Sequence, residues 1–191
     1  MPTLKGSETE KNLLTAFAGE SQARNRYGFY AKVAKKEGFE QISAIFLETA
    51  EQEKAHASRL FKFLEGGEVT ITAGYPAGKI GSTVENLREA AGGEGHEWNT
   101  MYPEFAETAR TEGFTDIALV LDNIAVAERR HGARFTALAD ALEAGTTFKR
   151  AAPITWVCRN CGWNTSACEA VERCPACNHP KAYFEEAACN W

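Results

Sequence analysis

Residues 36–56, KEGFEQISAIFLETAEQEKAH, and residues 111–131, TEGFTDIALVLDNIAVAERRH, are two versions of one segment set 75 positions apart. Gly38-Phe39 falls on Gly113-Phe114, Glu53 on Glu128 and His56 on His131; upstream, Tyr27 falls on Tyr102. A repeat of that length is a duplicated supersecondary unit, not a solenoid of short ones. In both copies apolar residues recur in steps of three and four, the period of a helix with one buried stripe. The second copy reads Ile117, Leu121, Ile124, then Phe135, Leu138, Leu142; the first reads Ile42, Phe46, then Leu60, Phe63. Glycine at 38 and 113 separates each copy from a helix before it, so each is the second arm of a helical hairpin.

Working outward, the first helix opens at Ser7 with Glu10 three residues on and stops at Gly38. The second runs from about Phe39 to Glu65, ahead of Gly66-Gly67. Ser82 with Glu85 opens the third, which ends at Gly113, and the fourth spans Thr115 to Gly145. Both openings have the capping-box pattern. Residues 66–81 are long enough to cross from one end of a bundle to the other. Two hairpins joined by one long crossover make a ferritin-like four-helix bundle, residues 1–145 of a mainly α chain.

Certain carboxylates then fall on the wrong face. Glu128 and His131 interrupt the apolar stripe of the fourth helix, Glu53 and His56 that of the second, Glu20 that of the first and Glu94 that of the third, with Glu97 one turn on. Glu48, Glu51, Glu89 and Glu143 read as solvated-face residues. Five carboxylates meeting in a core would cost several kcal/mol each in lost hydration, and basic partners in the stripes are too few. Multivalent cations compensate. Glu-x-x-His places both side chains on one face a turn apart and occurs twice; Glu20 and Glu94 from the other two helices complete a di-iron carboxylate pattern. Mixed oxygen and imidazole donors suit iron or manganese. The third helix also carries Gly92, Gly93, Gly95 and Pro103. Glu94 stands 19 residues before Gly113, whereas Glu20 stands 18 before Gly38; the Tyr-to-Gly interval is 11 in both. One residue is therefore inserted between Glu94 and Tyr102, which a π-bulge would absorb.

The composition changes near residue 150. All six cysteines lie in the last 34 residues, four of them as Cys158-x-x-Cys161 and Cys174-x-x-Cys177. Two such knuckles hold one iron or one zinc on four thiolates, and a module of roughly 40 residues needs that metal to fold. Residues 146–153 read as linker and 154–191 as this small domain; Cys168 and Cys189 fall outside the spacing and read as free thiols. With 21 basic against 26 acidic residues and a net charge of −5, the chain lacks the basic clusters expected for nucleic acid or anionic membrane. No run approaches the roughly 20 apolar residues of a membrane span, and the start lacks the features of a secretory signal.

The chain resembles the rubrerythrin family over essentially its whole length. The matching motifs are AFAGESQARNRY around Glu20, ETAEQEKAH, GGEGHEWNTMYPEFA, IAVAERRH, CRNCGW and CPACNHPKAYF. The resemblance implies a di-iron bundle followed by a β-rich, rubredoxin-like domain with one iron, replaceable by zinc, on Cys158, Cys161, Cys174 and Cys177. Rubredoxins usually have Gly where Asn178 stands, and Asn tolerates the same left-handed backbone. By position, Glu53 and Glu128 would bridge the irons, Glu20, Glu97 and His56 would serve one and Glu94 with His131 the other. One iron would exchange Glu97 for His56 on reduction, and Tyr27 and Tyr102 would orient carboxylates. The implied activity is reduction of hydrogen peroxide to water in cytoplasmic oxidative-stress defence. Electrons would come from a rubredoxin or an NADH-dependent reductase, in a head-to-tail homodimer. Two alternatives stay open on the residues: a ferroxidase or iron-storing protein, and a zinc-ribbon binding module.

Overall fold

A computed structural model describes residues 2–190. Helix α1 (Glu8–Lys36) and α2 (Glu40–Phe61) form the first hairpin. The second pairs α5 (Thr115–Glu143) with one continuous rod made of α3 (Thr83–His96), a π-helical segment (Glu97–Met101) and α4 (Tyr102–Thr111). The inserted residue expected between Glu94 and Tyr102 is thus taken up as a π segment. Gly38 and Gly113 end their helices identically, with φ of 87° and 85°. Phe39 N–H reaches back to Ala34 O at 2.9 Å and Phe114 N–H to Ala109 O at 2.7 Å. A side chain would be strained at either φ, which is why both copies carry glycine there.

Ser82 and Glu85 cap α3 reciprocally, as expected. At α1, Ser7 Oγ accepts from Glu10 N–H, but Glu10 turns back to Gly6 N–H at 2.7 Å instead of to Ser7. Helix α2 ends at Phe61, four residues short of the expected Glu65, and the non-helical crossover is correspondingly longer. Tyr75 pins it to α1 by donating to Thr15 O at 2.8 Å.

Two apolar cores fill the bundle, one towards each end. Leu13, Leu60, Ala106, Ile117 and Leu121 belong to the first; Tyr30, Ile42, Phe46, Leu87 and Phe135 belong to the second. Glu20, Glu53, Glu94 and Glu128 fall between them in every helix, a polar layer with an apolar roof and floor.

The small domain is a three-stranded antiparallel sheet in the order β2-β1-β3: β1 (Lys149–Cys158), β2 (Asn164–Glu169) and β3 (Phe184–Glu186). Strand β1 starts inside the stretch read as linker, so only residues 144–148 separate helix from strand. Trp156 pairs with Thr165 on one side and Glu186 on the other. A stacked pair, Phe39 and Phe148 with centroids 6.1 Å apart, joins this domain to the start of α2.

Candidate metal centres

Glu53 and His56 on α2, and Glu128 and His131 on α5, face each other across the polar layer. His56 Nδ1 lies 2.8 Å from Glu128 Oε1, 3.3 Å from Glu53 Oε2 and 3.6 Å from Glu20 Oε2. His131 Nδ1 lies 2.7 Å from Glu128 Oε2, 3.1 Å from Glu53 Oε1 and 3.6 Å from Glu94 Oε2. Two quartets result: Glu20, Glu53, His56 and Glu128, then Glu53, Glu94, Glu128 and His131. Glu53 and Glu128 belong to both, each offering one oxygen to either side. The duplicated sequence has produced a duplicated site.

Outer partners hold the terminal carboxylates. Tyr27 on α1 donates to Glu94 Oε1 at 2.5 Å, and Tyr102 on α4 donates to Glu20 Oε1. Each tyrosine therefore reaches from one hairpin to the glutamate of the other. Gly132 lets α5 approach α3 here, since a Cβ would stand 3.2 Å from Glu94 Cβ.

The electrostatics show what the layer lacks. Glu53 Oε1, Glu94 Oε2, both oxygens of Glu128, and Nδ1 of His56 and His131 are buried without a hydrogen-bond partner. Their short contacts are misaligned as hydrogen bonds, so these atoms aim at common points. Burial lifts Glu20 well above the carboxylate range and Glu94 to about 8. For Glu53 burial works the same way, but His131 and His56 outweigh it and bring the group down to about 2. Burial would lower the imidazoles, yet the surrounding carboxylates raise both, His131 to about 11. Orphaned oxygens and nitrogens in two shared quartets fit a pair of cations.

The second centre is built by two matched turns. Gly162 N–H returns to Cys158 O and Asn178 N–H to Cys174 O, both at 2.8 Å, with Gly162 at φ 78° and Asn178 at φ 60°. Asn therefore does the work of the usual Gly. The Sγ atoms stand 3.7 Å apart for Cys158 and Cys177, and 3.6 Å for Cys161 and Cys174. A tetrahedron with metal–sulfur bonds of about 2.3 Å has edges of about 3.8 Å, so the four sulfurs fit one ion. The His179 backbone N–H brings the Cys177 thiol down to about 6. At Cys161 the Trp163 backbone pulls the same way, but the crowding sulfurs outweigh it and push the thiol up to about 12. Cys161 is exposed while Cys158 and Cys174 are buried, so the centre has one open side.

The rubrerythrin family profile matches residues 11–139, and the profile described as "Rubrerythrin, rubredoxin-like domain" matches residues 156–185. The chain belongs to the rubrerythrin family. A rubrerythrin of Porphyromonas gingivalis is 58% identical over 99% of this chain and 94% of its own. One from Nitratidesulfovibrio vulgaris is 56% identical, with all of both chains covered. Among solved structures, "Fully reduced state of nigerythrin (all ferrous)" superposes with a TM-score of 0.63 at 30% identity, covering 97% of this chain and 92% of that one. As in the family, iron is the metal: the two quartets are the candidate di-iron site and the four sulfurs the rubredoxin-like site.

Within this rubrerythrin-type layer, Glu97 stands apart. It joins neither quartet and sits in the π segment, where burial first, then Glu94, Glu128 and Glu53, hold its carboxyl well above the usual range. A cleft of about 370 Å³ between α2 and α5 is lined by His56 and by the buried His131, flanked by Gln52, Asn123 and Arg130. Sequence reading missed Glu89. It is not a solvated-face residue: it is partly buried and accepts from Tyr30 and from Arg26. Its Leu-Arg-Glu-Ala context carries no hint of that cross-helix role. Among the described residues no helix is long and apolar enough to cross a membrane.

Proposed function

We propose that the chain is a peroxidase that reduces hydrogen peroxide to water at the di-iron site, with electrons entering through the four-cysteine iron. One observation carries this reading. A buried layer of unpartnered carboxylate and imidazole atoms shares a chain with a four-sulfur centre open on the Cys161 side. An iron-storing bundle has no use for that second centre. When bound, the iron pair supplies the two electrons that, with two protons, convert one peroxide to two waters.

The chain's own residues do the rest. Glu53 and Glu128 each present one oxygen to either quartet and so would hold two ions as a pair. Tyr27 and Tyr102 fix Glu94 and Glu20; burial first, then those carboxylates, raises both phenols well above their ordinary range, so they keep O–H groups beside the layer. The cleft at His56 and His131 admits a small polar solute. Glu97 would complete the ligand set of one iron in the oxidised state, and His56, already in the first quartet, would serve that iron in the reduced state.

In one chain the small domain packs at the start of α2, and Glu53 lies 13 residues along that helix from Glu40, about 20 Å. A head-to-tail homodimer shortens the electron path by bringing in the partner's small domain. A rubredoxin or an NADH-dependent reductase serves as the donor, in cytoplasmic oxidative-stress defence.

Anaerobic titration of the dithionite-reduced, iron-loaded full chain tests the reading. It predicts about one peroxide consumed per iron pair in the Cys161→Ser variant and about one and a half in the parent, whose four-cysteine iron supplies a third electron per chain, with donor-driven multiple turnover lost in the variant only. Unchanged multiple turnover would remove the four-cysteine centre from the path. Zinc found on the four sulfurs of a fully active preparation would do the same. Failure of the reduced parent to consume peroxide above an iron-free control would overturn the peroxidase reading.

A further inference from the structure

Behind Glu97, on the side away from the histidine cleft, lies a cavity of about 250 Å³ roofed by the crossover at Gly74 and Tyr75. Gln22 and Arg26 of α1 line it, one turn apart, as do Gly93 and Glu97. Arg26 is fixed on two edges. Its Nε donates to Gln22 Oε1 at 2.6 Å and its Nη1 to Glu89 Oε1 at 2.5 Å, while Glu89 Oε2 also takes the Tyr30 hydroxyl. Among the described residues Nη2 has no hydrogen-bond partner, and it lies over Gly93, where a Cβ would stand 3.8 Å from it. Glu89, Gly93 and Glu97 succeed one another at four-residue steps, one column on the helix surface. A longer side chain at 93 would fill the space between the guanidinium and Glu97. The two groups share the cavity without forming an ion pair among the described contacts. Glu97 therefore faces Arg26 across this cavity on its outer side, while a bound iron pair would lie on its inner side.

We propose that Arg26 is a positioning residue that sets how readily Glu97 leaves the di-iron layer. This rests on the reading above, in which Glu97 is a ligand in the oxidised state only. Reduction lowers the charge drawing the carboxylate inward, while Arg26, anchored by Glu89 and Gln22, keeps its charge. The outer position then becomes the better one. Gly93 keeps the way open, and the π segment gives Glu97 a stretch of backbone outside the regular helix ladder.

The test uses the full iron-loaded chain and a dithionite titration that reads the midpoint potential of the iron pair, together with crystal structures of both redox states. Arg26→Gln should shift the balance about tenfold towards bound Glu97, about 30 mV lower for a two-electron couple. The reduced crystal should then keep Glu97 against the metals. Arg26→Lys should recover most of the shift. In a Glu97→Gln background, Arg26→Gln should move the potential far less, because the group it positions is gone. The absorption of the four-cysteine iron reports that each variant is folded. Should Arg26→Gln fail to fold, Gln22→Ala and Glu89→Gln, which each loosen one anchor, must alter the occupancy of the outer Glu97 position. An Arg26→Gln protein whose reduced crystal shows Glu97 withdrawn as in the parent overturns the proposal and leaves the ligand reading intact. A parent protein in which Glu97 keeps one position in both redox states overturns both.

Discussion

The bundle and the small domain hold metal in opposite ways. In the bundle, the ligand layer is clamped between two apolar cores that exist without it. In the small domain, five residues make up the buried core, and two of those, Cys158 and Cys174, are ligands. Burial scales with chain length, and a sheet of this size removes too little apolar surface to fold unaided. The metal is a guest in one domain and part of the core itself in the other.

Stripping the iron would strain that comparison most. Chelation under reducing conditions should leave nearly all of the helical circular dichroism, while amide protection in β1 and β2 collapses. Equal loss in both domains would mean that the bundle also folds around its ions. Next in size, Phe135→Ala should cost the bundle about 3–5 kcal/mol in urea unfolding without changing the visible absorption of the four-sulfur iron. A shift in that absorption would show the domains to be coupled through Phe39 and Phe148. Tyr27→Phe and Tyr102→Phe each leave a buried carboxylate oxygen without its donor, at about 1–3 kcal/mol in the loaded protein. Their losses should match, and unequal ones would show that the two halves of the layer are held differently. The smallest effect expected is Ser82→Ala, about 1 kcal/mol from the loss of one helix cap, read in thermal melts as a shift of the bundle alone.

Much of this was legible in the residues because duplication prints everything twice. The 75-residue offset gives both hairpins, both glycine caps and both Glu-x-x-His pairs; the unequal spacing of Glu20 and Glu94 gives the π segment. Where no repeat exists, the reading weakens. Strand β1 reaches back to Lys149 because its outer residues pair with β2 across an irregular register, which no local pattern announces. Helix α2 stops at Phe61 although Phe63 continues its apolar stripe, since Phe63 and Leu64 pack on the core from a turn as well as they would from a helix. Glu89 looked solvated because its partners, Tyr30 and Arg26, come from a helix 59 and 63 residues away in the chain. Position in a stripe reports what a helix does with its own face, not what a neighbour lays across it.

One inserted residue has a consequence out of proportion to its size. Two identical hairpins would make two interchangeable metal positions, and a site with interchangeable halves has no front or back. It would offer an arriving molecule the same reception from either side. The extra residue in the π segment falls on one copy only, and a fifth glutamate stands there, whereas the matching place in the other copy, Gln22 or Ala23, carries no carboxylate. Like a palindrome with a letter added, the molecule acquires a reading direction. Chemistry that must begin at one metal and finish across the pair needs that direction, and here it is written in a single position of the chain.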